Sequence, residues 1–459
     1  MTDGTIWKLL VSFAFPLLLG NIFQQLYNTV DSFVVGNYVS KQALAAVGSV
    51  GNIINTLIGF FSGLASGAGI VVSQYFGAKD HDMLRKAVQT AIIMTLVMCV
   101  VFTVLGIVTI PMMLRFMKTP ADVWEDAKTY LTIFFLGASG LMLYNIGAGI
   151  LQAVGNTKIP LISLIISAVT NVMLDLTFVI RFKMGVAGVA WATIIAEAVS
   201  ASFVMTVLIR TKGPHRLIIR GMRFYPNVFR RIFQIGIPSA IQMAVTAFSN
   251  VFVQSYINAF EADCMAGYTI YGKIDAFAML PMNCIQAATT TFAGQNVGAG
   301  KNDRVKKCIL VSTLMNTITV LGMAIPVMIF RRELTSFFNS DPGVVYYGSI
   351  FLLCITPAYL LGVYGNPLNA VLRGSGDTKM PMVIMLSSYV AFRQIYLFIC
   401  TRLTDSFLII ALAYPAGWLV CNALTTVYFH CSNWEKRCFM VHPDVKTVGE
   451  PRRLSGKNT

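Results

Sequence analysis

The sequence predicts an all-α polytopic membrane protein with about twelve transmembrane helices in two six-helix lobes, related by a pseudo-two-fold axis along the membrane normal. Three observations predict this fold class. Of the 459 residues, 56% are hydrophobic and only 12% are charged, whereas a soluble domain has about 25% charged residues. The mean hydropathy is +0.68, and the apolar residues form long runs. A polar loop motif recurs in the second half of the chain. Soluble enzymes, secreted disulfide scaffolds and disordered chains are therefore excluded.

Twelve apolar runs are long enough to cross a membrane, because a crossing helix needs about 20 residues. Charged or Gly/Pro-rich breaks separate them. Numbered as spans 1 to 12, they lie near residues 9–35, 43–73, 88–114, 128–151, 159–180, 186–209, 232–257, 265–292, 308–330, 345–371, 381–401 and 406–430. Span 1 follows Lys8 and imitates a signal peptide, but it continues to Val35 without a small-residue cleavage site. We therefore interpret it as a helix.

The placement of the basic residues predicts the orientation. The net charge is +15. The N-terminus, the loops after even-numbered spans and the tail hold 24 Lys and Arg, and the opposite loops hold 9. Since cytoplasmic loops are enriched in Lys and Arg, both termini are predicted to be cytoplasmic. No basic domain with interleaved aromatic residues is present, so nucleic acid is not an expected partner. The nine cysteines form no Cys-x-x-Cys pair and indicate no metal or disulfide framework.

The two halves of the chain repeat each other. Gly155-Asn-Thr157-Lys158-Ile-Pro160 recurs as Gly376-Asp-Thr378-Lys379-Met-Pro381, 221 residues later, and Gln74-Tyr-Phe-Gly77-Ala78 recurs as Gln295-Asn-Val-Gly298-Ala299 at the same offset. Chance similarity of apolar helices does not predict a polar loop repeated in register. Six helices per repeat give parallel repeats. The predicted domains are an N lobe (1–210), a basic cytoplasmic linker (211–231), a C lobe (232–433) and a cytoplasmic tail (434–459).

Polar residues inside the predicted spans are the candidate functional groups, because charge at mid-membrane is costly. In the N lobe their spacings of three or four residues place them on single helix faces. They are Asn21, Gln24, Asn28 and Asp31 on span 1, Asn145 on span 4, Ser167, Asn171 and Asp175 on span 5, and Thr193 and Glu197 on span 6. Such a cluster can hold Na⁺, or take up a proton because burial disfavours the ionised carboxylate. The alternative is hydrogen bonding between helices.

The C lobe does not repeat the acidic residues. Asp31 corresponds to Val253 and Asp175 to Tyr396. The C lobe instead has Lys273 and Asp275 on span 8, two residues apart and therefore on different sides of a helix, and Arg393 on span 11. We interpret Arg393 as a structural pairing residue. Lys273 and Asp275, with Asn28 and Gln24, are candidates for contacts to a substrate in the cleft.

Of two motifs typical of enzymes, one is incomplete in this sequence and the other is absent. The segment 294–302 resembles a phosphate-binding loop, but Gln295 lies where its first glycine belongs and Asn302 replaces Ser or Thr. The four histidines form no His-Glu-x-x-His motif. With no convergent nucleophile or metal constellation, the sequence predicts neither an enzyme nor an ATP-driven pump, and no cofactor.

Together, the twelve spans, Pro16, the segment Gln24-Gln-Leu-Tyr27-Asn28-Thr-Val-Asp31 and the repeated loop motifs resemble the multidrug and toxic compound extrusion (MATE) transporters, to about residue 433. The resemblance implies a prokaryotic cytoplasmic membrane. In the DinF-like branch, residues resembling Asp31 and Asp175, with Asn145, Asn171 and Thr193, form the cation or proton site. The resemblance therefore implies a site for Na⁺ or H⁺ here, with Asp31, Asn171 and Asp175 as the ligands if the ion is Na⁺. The acidic pair of the NorM-like branch, on helices 7 and 10, is absent.

The leading hypothesis is therefore a secondary antiporter. It would export amphipathic, often cationic, organic compounds in exchange for Na⁺ or H⁺ by alternating access, as a monomer among membrane lipids. A flippase for a lipid-linked precursor, from the same superfamily, is the alternative, although two basic residues within spans make a poor basic cavity. A channel is disfavoured because duplicated lobes with an asymmetric carboxylate site favour alternating access.

Overall fold

The computed structural model describes residues 1–39, 41–116, 119–404, 406–432 and 434–437, and these are almost entirely helical. We number the helices in chain order. In the first half they are α1 (Ile6–Tyr38), α2 (Lys41–Gly77), α3 (His81–Phe116), α4 (Trp124–Ala153), α5 (Lys158–Arg181) and α6 (Gly185–Arg210). In the second half they are α7 (Pro226–Ile257), α8 (Ala262–Gly298), α9 (Asn302–Ile329), α10 (Arg331–Phe338), α11 (Pro342–Ser375), α12 (Lys379–Leu403), α13 (Phe407–Cys431) and α14 (Trp434–Arg437).

The twelve long helices correspond to the twelve predicted spans, and the protein is an all-α polytopic membrane protein. Within the described residues, ten helices satisfy length and apolarity criteria for crossing a membrane. The other two are α7 and α8, with 32 and 37 residues. Polar side chains such as Asn283 and Gln286 lower the apolarity of α8, and both line a cavity between the lobes.

Several boundaries differ from those predicted. The helix α7 begins at Pro226, so the last six residues of the predicted linker 211–231 are helical, with proline in the first turn where its missing N–H costs nothing. The short helix α10 was not predicted. A 3-10 turn, Thr356–Leu361, interrupts α11, and π-helical turns, Leu176–Arg181 and Leu386–Phe392, lie within α5 and α12.

Helices α1–α6 form one lobe, and α7–α9 with α11–α13 form the other. In the N lobe, α4 packs against α2, α3 and α6, and α1 packs on α5. In the C lobe, α8 packs against α9 and α11, and α13 packs against α11 and α12. Each lobe has its own buried apolar core, and a further buried cluster joins α2, α3, α4 and α6 to Ile232 and Ile235 of α7. This arrangement is the predicted pair of six-helix lobes.

The pseudo-two-fold axis passes between the ends of α2 and α8. A Cβ at Gly77 would lie 1.9 Å from the carbonyl oxygen of Gln295, and a Cβ at Gly298 would lie 2.0 Å from that of Gln74. Because 74 and 77 correspond to 295 and 298 at the offset of 221, the contact is reciprocal, as symmetry requires. The glycines allow the two backbones to meet.

The contacts of the two repeated loops are related by the same pseudo-two-fold axis. Gln74 Nε2 donates to Gly374 O at 2.9 Å, and Gln295 Nε2 donates to Ala153 O at 2.7 Å. Residues 153 and 374 are again 221 apart, and each precedes a left-handed glycine, Gly155 or Gly376, with φ of +91° and +96°. Each lobe therefore binds the loop of the other, and both loops lie at one end of the bundle, which we call the motif end.

The lobes contact each other in the half of the bundle nearest the motif end. Cβ atoms at Gly63 and Gly67 of α2 would lie 2.4 and 2.2 Å from the Cα atoms of Ala240 and Gly236 of α7. On the other side of the axis, Leu10 and neighbouring apolar residues of α1 share a buried cluster with α8. Small residues at these positions allow close helix packing.

Candidate functional site

The carboxyl groups of Asp31 on α1 and Asp175 on α5 face each other closely enough to interact directly. The packing of α1 on α5 brings them together. Asp175 is fully buried, at the point where α5 changes to a π-helical turn, an irregularity that is frequent at functional sites. Neither oxygen of Asp175, nor Oδ1 of Asp31, receives a hydrogen bond from an N–H or O–H group among the described residues.

Asn171 lies one turn before Asp175 and extends this polar surface. Its side chain is 2% exposed, and neither its amide nitrogen nor its oxygen has a partner in the described structure. Two further residues of the same face bind α6: Ser163 Oγ donates to Ser200 O at 3.0 Å, and Ser167 Oγ donates to Ala196 O at 3.1 Å. On this face of α5, Ser163 and Ser167 therefore bind α6, whereas the side chains of Asn171 and Asp175 have no hydrogen-bond partner in the described structure.

A cavity of about 600 Å³ lies between the lobes, lined mainly by the N lobe and by α8. Asn145 and Glu197 line it, together with Gln24. Asn145 Oδ1 accepts from Ser62 Oγ at 3.3 Å, and its Nδ2 donates to Leu141 O at 2.9 Å. Glu197 Oε2 is buried without a described partner. Thr193, one turn away, donates to Val189 O of its own helix at 3.0 Å.

The predicted cluster is therefore divided into two parts. Asp31, Asn171 and Asp175 form a buried group beside the cavity, whereas Asn145 and Glu197 belong to the cavity wall. The side chain of Asn28, another predicted contact, lies outside the described residues. No set of three His, Cys, Asp or Glu side chains in the described part of the chain is arranged for a metal ion. The donors for a cation are two carboxyl groups and one amide.

Two tyrosines that were not predicted connect these parts. Tyr130, buried on α4, lies within electrostatic range of all three carboxyl groups. Tyr27 lies near Gln24, Glu197 and Asp31. The spacing of Tyr27 from Asp31, one helical turn, could have identified it. No sequence signal distinguishes Tyr130 from other residues of an apolar run.

Lys273 and Asp275, the charged residues predicted on span 8, do not line this cavity. Lys273 is exposed, with Nζ 5.6 Å from the ring centroid of Phe338. Asp275, on another side of α8 as their spacing predicts, accepts a hydrogen bond from the hydroxyl group of Tyr359 and lies near that of Tyr271. These contacts place Lys273 at the surface and Asp275 in an aromatic cluster, away from the described cavity.

Arg393 is 3% exposed, on the first α-helical turn after the π-helical segment of α12. Its Nη2 donates to Ser249 Oγ at 2.6 Å and to Asn250 Oδ1 at 3.0 Å, and its guanidinium lies 5.0 Å from the ring centroid of Tyr414. These contacts join α12 to α7 and α13, in agreement with the structural role expected for Arg393.

The protein is a two-lobed bundle with a polar cavity between the lobes, and one lobe contains two facing carboxyl groups, three of whose four oxygens lack hydrogen-bond donors among the described residues. These features define a membrane transporter and not an enzyme. The chain belongs to the MatE family, which it matches over residues 16–177 and 238–398. The two matched segments begin 222 residues apart and end 221 residues apart, and so they coincide with the internal repeat.

Relatives and solved structures agree with this assignment. The chain is 27% identical over 441 residues to the probable multidrug resistance protein YoeA of Bacillus subtilis, covering 94% of this chain and 95% of that one. It is 23% identical over 457 residues to the probable multidrug resistance protein NorM of Thermotoga maritima, covering 97% and 96%. A crystal structure of MATE in the bent conformation has a TM-score of 0.89 at 20% identity, covering 95% and 97%.

Proposed function

We propose that this protein is a secondary antiporter that exports amphipathic, often cationic, organic compounds in exchange for Na⁺ or H⁺. The observation that carries the proposal is the buried pair Asp31 and Asp175, because three of its four carboxyl oxygens lack hydrogen-bond donors in the described structure. Two ionised carboxylates at this range repel each other, and so the pair needs a shared proton or a bound cation. Relatives named as multidrug resistance proteins support the substrate class.

The same atoms fit either coupling ion. The free oxygens of Asp31, Asn171 and Asp175 are hard ligands of the kind that Na⁺ prefers, and one proton would equally satisfy the carboxyl pair. Asn171 and the two aspartates also match the pattern of the DinF-like branch. Since Asn145 and Glu197 line the cavity wall, they are well placed to couple the ion to a substrate there.

The charge distribution supports a cytoplasmic location for both termini and for the motif end, in a prokaryotic cytoplasmic membrane. With the lobes closed at the motif end, the structure then corresponds to an outward-facing state. An ion gradient can drive exchange only if the ion binds the inward- and outward-facing states with different affinities. The protein needs no cofactor, and each monomer holds a complete cavity.

The test is transport by purified protein in proteoliposomes, with a Na⁺ gradient and a pH gradient imposed separately and ethidium as the substrate. We expect one gradient to drive ethidium movement by the wild type. Asp175→Asn keeps the size of the side chain and removes its charge, so it should fold and bind ethidium but lose at least about tenfold in driven transport. Asp82→Asn, at an exposed carboxylate of α3, is the matched control and should transport normally.

Asp31→Asn should show the same loss, and the double variant should lose no more than either single variant, because residues that serve one site are not additive. Wild-type rates for Asp175→Asn under both gradients would contradict the assignment of the coupling site.

A further inference from the structure

Arg373 is a basic residue of the C lobe that projects into the cavity lined mainly by the N lobe. Among the described residues that line the cavity, only Arg373 and Glu197 carry a formal charge. Arg373 lies in the last turn of α11, and its position corresponds to Gln152 in the N lobe, which also lines the cavity. The C lobe thus has a positively charged side chain at the position where the N lobe has a neutral amide.

The guanidinium of Arg373 has unused donors. Its Nη2 donates to Ser66 Oγ at 3.0 Å, and its Nε is buried with no partner among the described residues. No carboxylate of the described chain forms an ion pair with it. A guanidinium has five N–H donors, and a buried charge without a counter-ion is costly. The carbonyl groups at the end of α11 offset only part of this cost.

The position of Arg373 relative to the other polar groups of the cavity follows from α2. Ser62 donates to Asn145, and Ser66, one turn nearer the motif end, accepts from Arg373. The four residues between these positions rise about 6 Å along the helix. Arg373 and Asn145 are therefore held by adjacent turns of one helix. A single organic molecule within a cavity of about 600 Å³ can contact both.

We propose that Arg373 binds an anionic group of the transported compound, so that the cavity accepts molecules carrying a carboxylate or a similar oxyanion. Such a group would accept hydrogen bonds from the free N–H groups of Arg373, in the bidentate geometry that guanidinium favours. Glu197, the acidic residue of the same wall, is available for a cationic group, and a zwitterionic amphipathic compound satisfies both. This inference rests on the proposed transport function and adds a substrate class to it.

The test uses rhodamine B, which carries a free benzoate and a cationic ring system, and its ethyl ester, which carries only the cation. Binding of each dye to purified protein in detergent is measured by fluorescence polarisation. We expect the wild type to prefer rhodamine B. Arg373→Gln should weaken rhodamine B binding by about tenfold, the size of a hydrogen bond to a charged group, and leave ester binding within about twofold. Arg373→Lys should retain part of the preference.

The matched control is Arg402→Gln, at an exposed arginine of α12. This substitution should change the binding of neither dye. If Arg373 served only to join the lobes through Ser66, its substitution would affect both dyes equally, and Ser66→Ala would have the same effect; that result would overturn the proposal. Equal affinity of the wild type for the two dyes would also overturn it. Binding of neither dye by the wild type would instead contradict the proposed substrate class itself.

Discussion

At the scale of single residues, two buried asparagines have amide groups without partners in the described structure, but only one of them lies where an ion can bind. Asn171 on α5 and Asn316 on α9 are 2% and 1% exposed, and both amide atoms of each lack partners among the described residues. An unsatisfied buried polar group costs about 1–3 kcal/mol. Only Asn171 lies beside a carboxyl pair, and so only there does a bound ion offer compensation.

We therefore expect Asn171→Ala and Asn316→Ala to leave the thermal stability of the purified protein unchanged or to raise it, since each removes an unsatisfied amide. Only Asn171→Ala should reduce ion-driven transport. Unfolding temperatures in detergent and transport in proteoliposomes measure the two effects. A loss of stability in Asn171→Ala would show that its amide has a structural partner, which would count against its role at the ion site.

The candidate site could be predicted in part from the sequence. The spacing of Ser167, Asn171 and Asp175 determines a shared face, because helical periodicity is a local property. That Asp31 meets Asp175 depends on α1 packing against α5, and that Glu197 lies in the cavity wall depends on the arrangement of α4 and α6. Such contacts between distant parts of the chain leave no periodic signal.

At the scale of helices, the closest crossings are made by glycines at positions that correspond in the two lobes. Gly77 and Gly298 lie against the backbone of the opposite lobe. A Cβ there would overlap a carbonyl oxygen that cannot rotate away as a side chain can. Gly322 on α9 offers the contrast, because a Cβ added to it would have no heavy atom within 4 Å.

Gly77→Ala should accordingly separate α2 from α8 and lower the unfolding temperature, because relief of the overlap requires a backbone shift. Gly322→Ala should raise it slightly, since alanine in a helix is favoured over glycine by about 0.5–1 kcal/mol. Thermal unfolding in one detergent compares the two. Similar unfolding temperatures for the two variants would contradict the close crossing at the axis.

The helices themselves were largely predictable, and their irregularities were not. Length and apolarity identify the twelve long helices, because the bilayer sets a minimum length. The short helix α10 lies in a stretch predicted to be a loop, and the π-helical turns of α5 and α12 lie within predicted spans whose sequence has no local signal for them.

At the scale of the whole molecule, the asymmetric distribution of basic residues predicts which end of the bundle is cytoplasmic. In a variant without native cysteines, Ile219→Cys tests the linker and Ser340→Cys tests the opposite end; both positions are exposed. A membrane-impermeant maleimide should label position 340 in intact cells and position 219 only after permeabilisation. The reverse pattern would overturn the orientation.

The axis itself permits a test of alternating access. Ser73 and Gly294 correspond at the offset of 221, and a Cβ at Gly294 would lie 3.2 Å from the Cβ of Ser73, near the separation of about 3.8 Å found in disulfides. In Ser73→Cys/Gly294→Cys, oxidation should join α2 to α8 at the motif end. If transport requires the lobes to separate there, oxidation should abolish ethidium transport and dithiothreitol should restore it, while Ser73→Cys alone remains insensitive to the oxidant. Wild-type transport by the fully cross-linked double variant would show that the lobes need not part at the motif end, and exchange would then have to proceed without rocking about this axis.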